Sequence, residues 1–145
     1  MGSGLRLKVM KQSSSHAEEL GIDYEMTIIS AHREPDELIE WTRSAEGRGM
    51  KVMIAGAGMA AAFRECVQHC LPFRLSGFRF RERIWTEWTQ SFLLCRCHRE
   101  VPVATVAIDG AKNAAILAAK ILAASDDALL QKLKDYTTGQ KEAVK

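Results

Sequence analysis

No cysteine and no phenylalanine stands outside residues 62–100, and no lysine stands inside them. No apolar run approaches the roughly 20 residues that a membrane-spanning helix needs, so no such span is expected. No strong excess of charge is present. The net charge of +2 gives no reason to expect an obligate polyanionic partner such as nucleic acid. No apolar stretch follows Met1-Gly2-Ser3-Gly4, so a signal peptide is not expected. The four cysteines are clustered rather than spread as a disulfide framework. Together these absences point to a soluble, cytoplasmic protein.

What is present divides unevenly. At 145 residues and 47% hydrophobic residues, the chain can bury the core of one domain, expected over 1–145. Residues 62–100 hold all four cysteines (66, 70, 95, 97), all five phenylalanines (63, 73, 78, 80, 92) and seven of the eleven arginines. The flanks are written in Lys, Ala, Ile and Val instead. A single domain rarely changes vocabulary so sharply, so this segment is an aberrant one within the domain.

The flanks alternate between two periods. Val9, Met10, Ala17 and Leu20 fall on one side of a helix over 9–20, and Gly21 ends it. Tyr24–Ile29 reads as a strand, with Met26, Ile28 and Ile29 apolar. Pro35 and Asp36 suit the first turn of the next helix, which carries Leu38, Ile39 and Trp41 and stops at Gly47 and Gly49. Lys51–Ala55 is a short buried strand running into Gly56-Ala57-Gly58, and Val101–Ile108 is another. Asn113–Ala124 is an Ala/Leu/Ile helix that must be covered on most sides, and Asp126–Tyr136 is a final amphipathic helix. Strand and helix in alternation specify an α/β fold with a parallel sheet and helices on both faces. Ligands of such sheets bind at the carboxyl ends of the strands.

Two segments lie at that rim. Ser30-Ala31-His32-Arg33 follows one strand and Gly56-Ala57-Gly58 follows the next. A guanidinium such as that of Arg33 grips phosphate bidentately, and the Ser30 hydroxyl adds a donor. The His32 imidazole can move a proton near neutral pH. Gly56 and Gly58 let backbone N–H groups approach a ligand. The same residues also suit a plainer use, a helix cap with a surface pair beside an empty glycine turn.

Ser30-Ala31-His32-Arg33-Glu34-Pro35-Asp36, followed by Gly49-Met50-Lys51-Val52-Met53-Ile54-Ala55-Gly56-Ala57-Gly58, resembles the class I N5-carboxyaminoimidazole ribonucleotide mutases of purine biosynthesis. Val101–Ile108 and Asn113–Ala119 are similar to a later strand and helix of that family. The likeness covers about 9–61 and 101–140. It implies a three-layer αβα sandwich of the flavodoxin-like kind, assembled as a homo-octamer. It also implies a ribonucleotide substrate and no metal or organic cofactor. By resemblance, His32 is the general acid/base. Ser30 and Arg33, helped by Ser3, hold the phosphate end. Gly56, Ala57 and Gly58 line the ring site. The CO2-dependent aminoimidazole ribonucleotide carboxylases share the fold and motif and are the near alternative.

The chain departs from that pattern in places. The family opens with a strand and then Met-Gly-Ser-x-Ser-Asp; here Met1-Gly2-Ser3 comes first, and Leu5-Arg6 replaces the Ser-Asp pair. Met59 stands where the family has glycine. Within 62–100 the family motifs are missing, yet the spacing from Gly58 to Val101 is close to the family's. A shifted reading frame accounts for this. Trp85-Thr86-Glu87-Trp88-Thr89 requires TGG ACN GAR TGG ACN. Read one base earlier, these codons permit the family's Leu-Asp-Gly-Val-Asp. In the same frame Phe63–Cys66 permits Leu-Pro-Gly-Met, Phe73–Gly77 permits Leu-Pro-Val-Ile-Gly, and Leu94–His98 permits Val-Gln-Met-Pro.

Two rival readings take the segment at face value. Cys66, His69 and Cys70 with Cys95, Cys97 and His98 have ligand types that suit zinc, in a spacing uncommon for structural sites. Phe73 through Trp88, with Arg74, Arg79, Arg81 and Arg83, could form a nucleic-acid surface, although Glu82 and Glu87 interrupt its charge. Without a clear period, the segment is not expected to rebuild the strands and helix that it replaces.

Overall fold

The computed structural model describes residues 7–31, 33–57, 74–79 and 103–143, with residue 57 and residues 74–79 described by backbone alone. The described elements, in chain order, are α1 (Leu7–Leu20), α2 (Pro35–Ser44), β1 (Val52–Ala57), β2 (Arg74–Arg79), β3 (Ala104–Thr105), α3 (Ala111–Leu122) and α4 (Asp127–Glu142). A short 3-10 turn, Ala123–Ser125, joins the last two helices. The strands form one sheet in the order β1-β2-β3, parallel throughout.

The two faces of β1 explain the layering. Side chains alternate along a strand. Met53 and Ala55 pack with Ile29, Leu38 and Ala45, against half-buried Trp41, which sets α2 on one face. Ile54, between them, packs with Met10, Ala111 and Ala114, which sets α1 and α3 on the other. Alanine at 111, 114, 115, 118 and 119 gives α3 a buried side with little bulk. Behind it, Leu129 and Leu133 of α4 close a third cluster with Leu20, Ala119 and Ala123. This is a three-layer αβα arrangement.

Each helix boundary has a local cause. Gly21 adopts φ +71° where α1 ends, and an added Cβ would lie 2.7 Å from Lys132 Nζ. That ammonium donates to the Leu20 carbonyl at 2.8 Å, placing a cation at the negative helix end. Pro35 opens α2, with Asp36 and Glu37 in the first turn and Arg43 in the last. Asp126 caps α4, its carboxylate accepting from the Leu129 N–H at 3.0 Å. Asp126→Ala is therefore expected to lower stability by about 1 kcal/mol, read from the urea midpoint, and an unchanged midpoint would count against the cap.

Inside the helical layer one polar residue stands out. His16 is 2% exposed. Its Nδ1 lies 2.7 Å from the Glu19 carboxylate, which identifies Nδ1 as the donor. Nε2 has no partner among the described residues. The ring meets Tyr136 edge-on at 4.8 Å.

The structure corrects three expectations. Tyr24–Ile29 does not form a strand: residues 22–30 carry no ladder, and Tyr24, Met26 and Ile28 are exposed. A strand exists only by pairing, and among the described residues β1 pairs with β2 alone. Arg48 anchors the segment instead, donating to Glu25 at 3.2 Å and to the Trp41 carbonyl at 3.2 Å. Of the strand expected at Val101–Ile108, the described residues 103–108 form only Ala104–Thr105, and the chain turns at Ile108 and Asp109. Conversely, the aberrant segment does supply a strand. Arg74–Arg79 pairs with β1 over six residues and with β3 over two. Ladder bonds come from the backbone, so an unsuited sequence can still occupy the central position.

Candidate functional site

Ser30 ends the unpaired segment and is 8% exposed. Its neighbours bring it to the carboxyl end of β1: Ile29 shares a buried cluster with Ala55, and Ala31 packs against the same cluster. The chain then reverses tightly. The Ser30 carbonyl accepts from the Arg33 N–H at 3.1 Å and from the Glu34 N–H at 2.7 Å. Pro35 follows at once and starts α2. Pro35 itself has no N–H, so the turn is closed by the two residues ahead of it.

The side chains of the turn converge. Arg33 Nε donates to Ser30 Oγ at 3.4 Å, a long bond that leaves the guanidinium exposed. The Glu34 carboxylate accepts from the Ser30 N–H at 3.1 Å. Serine hydroxyl, guanidinium and carboxylate therefore meet around one residue. The arrangement can hold an anion from Arg33 and Ser30 while Glu34 fixes the backbone beneath it.

Of the residues expected from sequence, Ser30 and Arg33 are brought together. Gly56 and Ala57 form the carboxyl end of β1, opposite Phe78 and Arg79 of β2, with Gly56 buried. His32, Ser3 and Gly58 lie outside the described residues. So do the Cys66, His69, Cys70, Cys95, Cys97 and His98 groups of the zinc reading. Of the nucleic-acid reading, Arg74–Arg79 forms β2, while Phe73, Arg81, Arg83 and the residues on to Trp88 lie outside the described residues. Among the described residues no group of three potential metal ligands occurs, and no helix is long and apolar enough to cross a membrane.

Two residues at this rim were not anticipated. Glu34 is one; the only sequence signal is a carboxylate just ahead of Pro35. Asp109 is the other, a non-glycine at φ +53° in the turn from β3 to α3. Few residues adopt that region outside functional or tight turns. Gly110 beside it is sterically required, since an added Cβ would stand 2.6 Å from the Ala107 carbonyl oxygen. The Asp-Gly pair at 109–110 is the signal that could have flagged this turn.

An apolar cavity lies elsewhere. A cavity of about 450 Å³ opens between α1, residues 22–29, β1 and α3, lined by Met10, Ile29, Ile54, Ala115 and Ala118 among others. It touches the site only through Ile29 and Ala55. Its wall is mostly apolar, and Ser30, Arg33 and Glu34 do not line it. A wider, shallower hollow of about 530 Å³ lies along α2 at Asp36, Ile39, Glu40, Arg43 and Ser44. Tyr24 also lines the 450 Å³ cavity; its hydroxyl donates to Glu18 at 2.6 Å, and this bond raises the phenol above its ordinary value.

Layering, parallel sheet and a polar turn at the strand ends define a flavodoxin-like α/β protein. The likeness of the solved Treponema denticola PurE to this fold has a TM-score of 0.91 at 22% identity, over 99% of this chain and 90% of that one. A family model described as AIR carboxylase matches residues 1–143, and the chain belongs to that family. The N5-carboxyaminoimidazole ribonucleotide mutase of Thermotoga maritima is 43% identical over 144 residues, covering 99% of this chain and 84% of that protein. The mutase of Pyrococcus abyssi is 40% identical over 141 residues, covering 97% and 81%.

Proposed function

We propose that the chain is an N5-carboxyaminoimidazole ribonucleotide mutase by design, moving the carboxylate from N5 to C4 of the imidazole ribonucleotide. The observation that carries this reading is the closed turn at 30–34, where Arg33 and Ser30 share a hydrogen bond at the end of β1. His32 lies between them in the chain and takes the acid/base role. It protonates N5, the N5–carboxylate bond breaks, and CO2 is released within the site. C4 then attacks that CO2 and gives up its proton to His32, so the imidazole ends as it began. Ser3, Ser30 and Arg33 hold the phosphate, while Gly56, Ala57 and Gly58 face the ring. CO2 must not escape between the two steps, so exclusion of water and closure of the pocket belong to the mechanism.

The reading extends to the whole chain as one domain, a homo-octamer in the cytoplasm. Residues 62–100 are proposed to be an out-of-frame translation between two compensating shifts; sequencing codons 59–101 tests this, and an intact gene with codons that do not yield the family motifs would sink it. The CO2-dependent carboxylase is the second reading, favoured by the description of the matching family model. Carboxylation of aminoimidazole ribonucleotide with added CO2, without conversion of the N5-carboxy compound, would select it. Binding tests the site itself. Arg33→Ala is expected to weaken aminoimidazole ribonucleotide about tenfold or more in an NMR titration, the size of a lost charge-assisted bond. Equal affinity in the variant would remove Arg33 from the site.

A further inference from the structure

We infer that Glu34 is a positioning residue for the phosphate end of the site, a role that rests on the reading of Ser30 and Arg33 given above. Glu34 is joined to Ser30 at both ends. Its N–H donates to the Ser30 carbonyl at 2.7 Å, and its carboxylate accepts from the Ser30 N–H at 3.1 Å. The second bond is partly buried, where a charge-assisted hydrogen bond is stronger than in water.

The geometry of α2 makes this choice of partner informative. Glu34 occupies the residue position just ahead of α2, where a side chain ordinarily turns forward to cap the helix. Here it makes no cap bond and reaches backward four residues instead. α2 therefore does not depend on this carboxylate, whereas the turn does. With both backbone groups of Ser30 taken by Glu34, the Ser30 hydroxyl has one fixed origin, and it is this hydroxyl that Arg33 Nε meets at 3.4 Å. Glu34 touches no ligand in this scheme. It holds the turn that carries residue 32 and aims the two groups on either side of it.

The test uses the full chain with Glu34→Ala and Glu34→Gln, and inorganic phosphate as the probe. Glu34→Ala should weaken phosphate binding about tenfold, because it deletes a bond to a charged acceptor. It should also speed hydrogen exchange of the Ser30 amide, with the melting temperature held. Glu34→Gln retains an acceptor oxygen and should restore both readouts to within about threefold of the parent. Unchanged phosphate affinity and unchanged Ser30 exchange in Glu34→Ala would overturn the proposal. So would a glutamine variant as impaired as alanine, since the effect would then be one of charge and not of placement. A parent chain that binds no phosphate refutes the reading of Ser30 and Arg33, while Ser30 exchange still decides whether Glu34 holds the turn.

Discussion

Turnover of N5-carboxyaminoimidazole ribonucleotide by this chain is expected to be at least about a hundredfold slower than by the Thermotoga maritima relative, because misplacement of about 1 Å at a site costs that much. The groups proposed to hold the phosphate are in place. Ser30 is buried and Arg33 reaches it. The sequence departs from the resembled pattern in three ways. Leu5-Arg6 stands where that pattern has a Ser-Asp pair, which exchanges a carboxylate for a cation. Met59 stands where it has a glycine. Residues 62–100 carry none of the family's motifs. Binding energy at one end of a substrate cannot fix the reacting end when the opposite wall is altered. The comparison needs both proteins folded, which circular dichroism can establish. A near-normal rate would show that the altered segment still completes the pocket.

What sequence could reveal followed the range of the interaction concerned. Helix ends were legible because their causes are local. Pro35 and Asp36 marked the start of α2, and Gly21 the end of α1. α4 began one residue from its expected start, because Asp126 is the cap and Asp127 the first helical residue. It ran on to Glu142 beyond the expected Tyr136, since Gly139 does not break a helix whose neighbours all favour it. Strands were legible only where partners existed. Val52–Ala57 found β2, whereas Tyr24–Ile29 had the right composition and no ladder. Pairing is set by distant chain, and no window of the sequence contains it. Arg74–Arg79 is the opposite case, a strand imposed from both sides on residues with no strand pattern.

The site divided in the same way. Ser30 and Arg33 are three residues apart, so a single turn brings them together and their proximity was legible. Glu34 was missed because its function depends on rotating backward from a helix start, which residue type does not encode. Asp109 was missed because its left-handed backbone belongs to a tight turn, which the Gly110 N–H closes by donating to the Ala107 carbonyl at 3.0 Å. Both are backbone effects, and hydropathy is silent about them.

Ile29→Ala should produce the largest loss of stability, about 2–3 kcal/mol, from the low end of the range for such truncations. Ile29 is 2% exposed and packs with Leu38, Ala45, Met53 and Ala55. Removing its outer carbons deletes contacts to both α2 and β1, and a rigid sheet cannot collapse into the gap. The cost stays below the upper limit because Ile29 already lines the 450 Å³ cavity, so part of its surface has no partner to lose. Against a total of roughly 5–15 kcal/mol for a native domain, the loss is large. It should appear as a lower urea midpoint with an unchanged slope. The phosphate affinity of the molecules that remain folded should change by less than about threefold, because the Ser30 backbone groups keep their bonds to Glu34 when Ile29 is truncated. Glu34→Ala has the reverse signature, weak binding with stability retained. If Ile29→Ala instead abolished phosphate binding while leaving the midpoint in place, the hydrophobic wedge and not the carboxylate would be what aims Ser30.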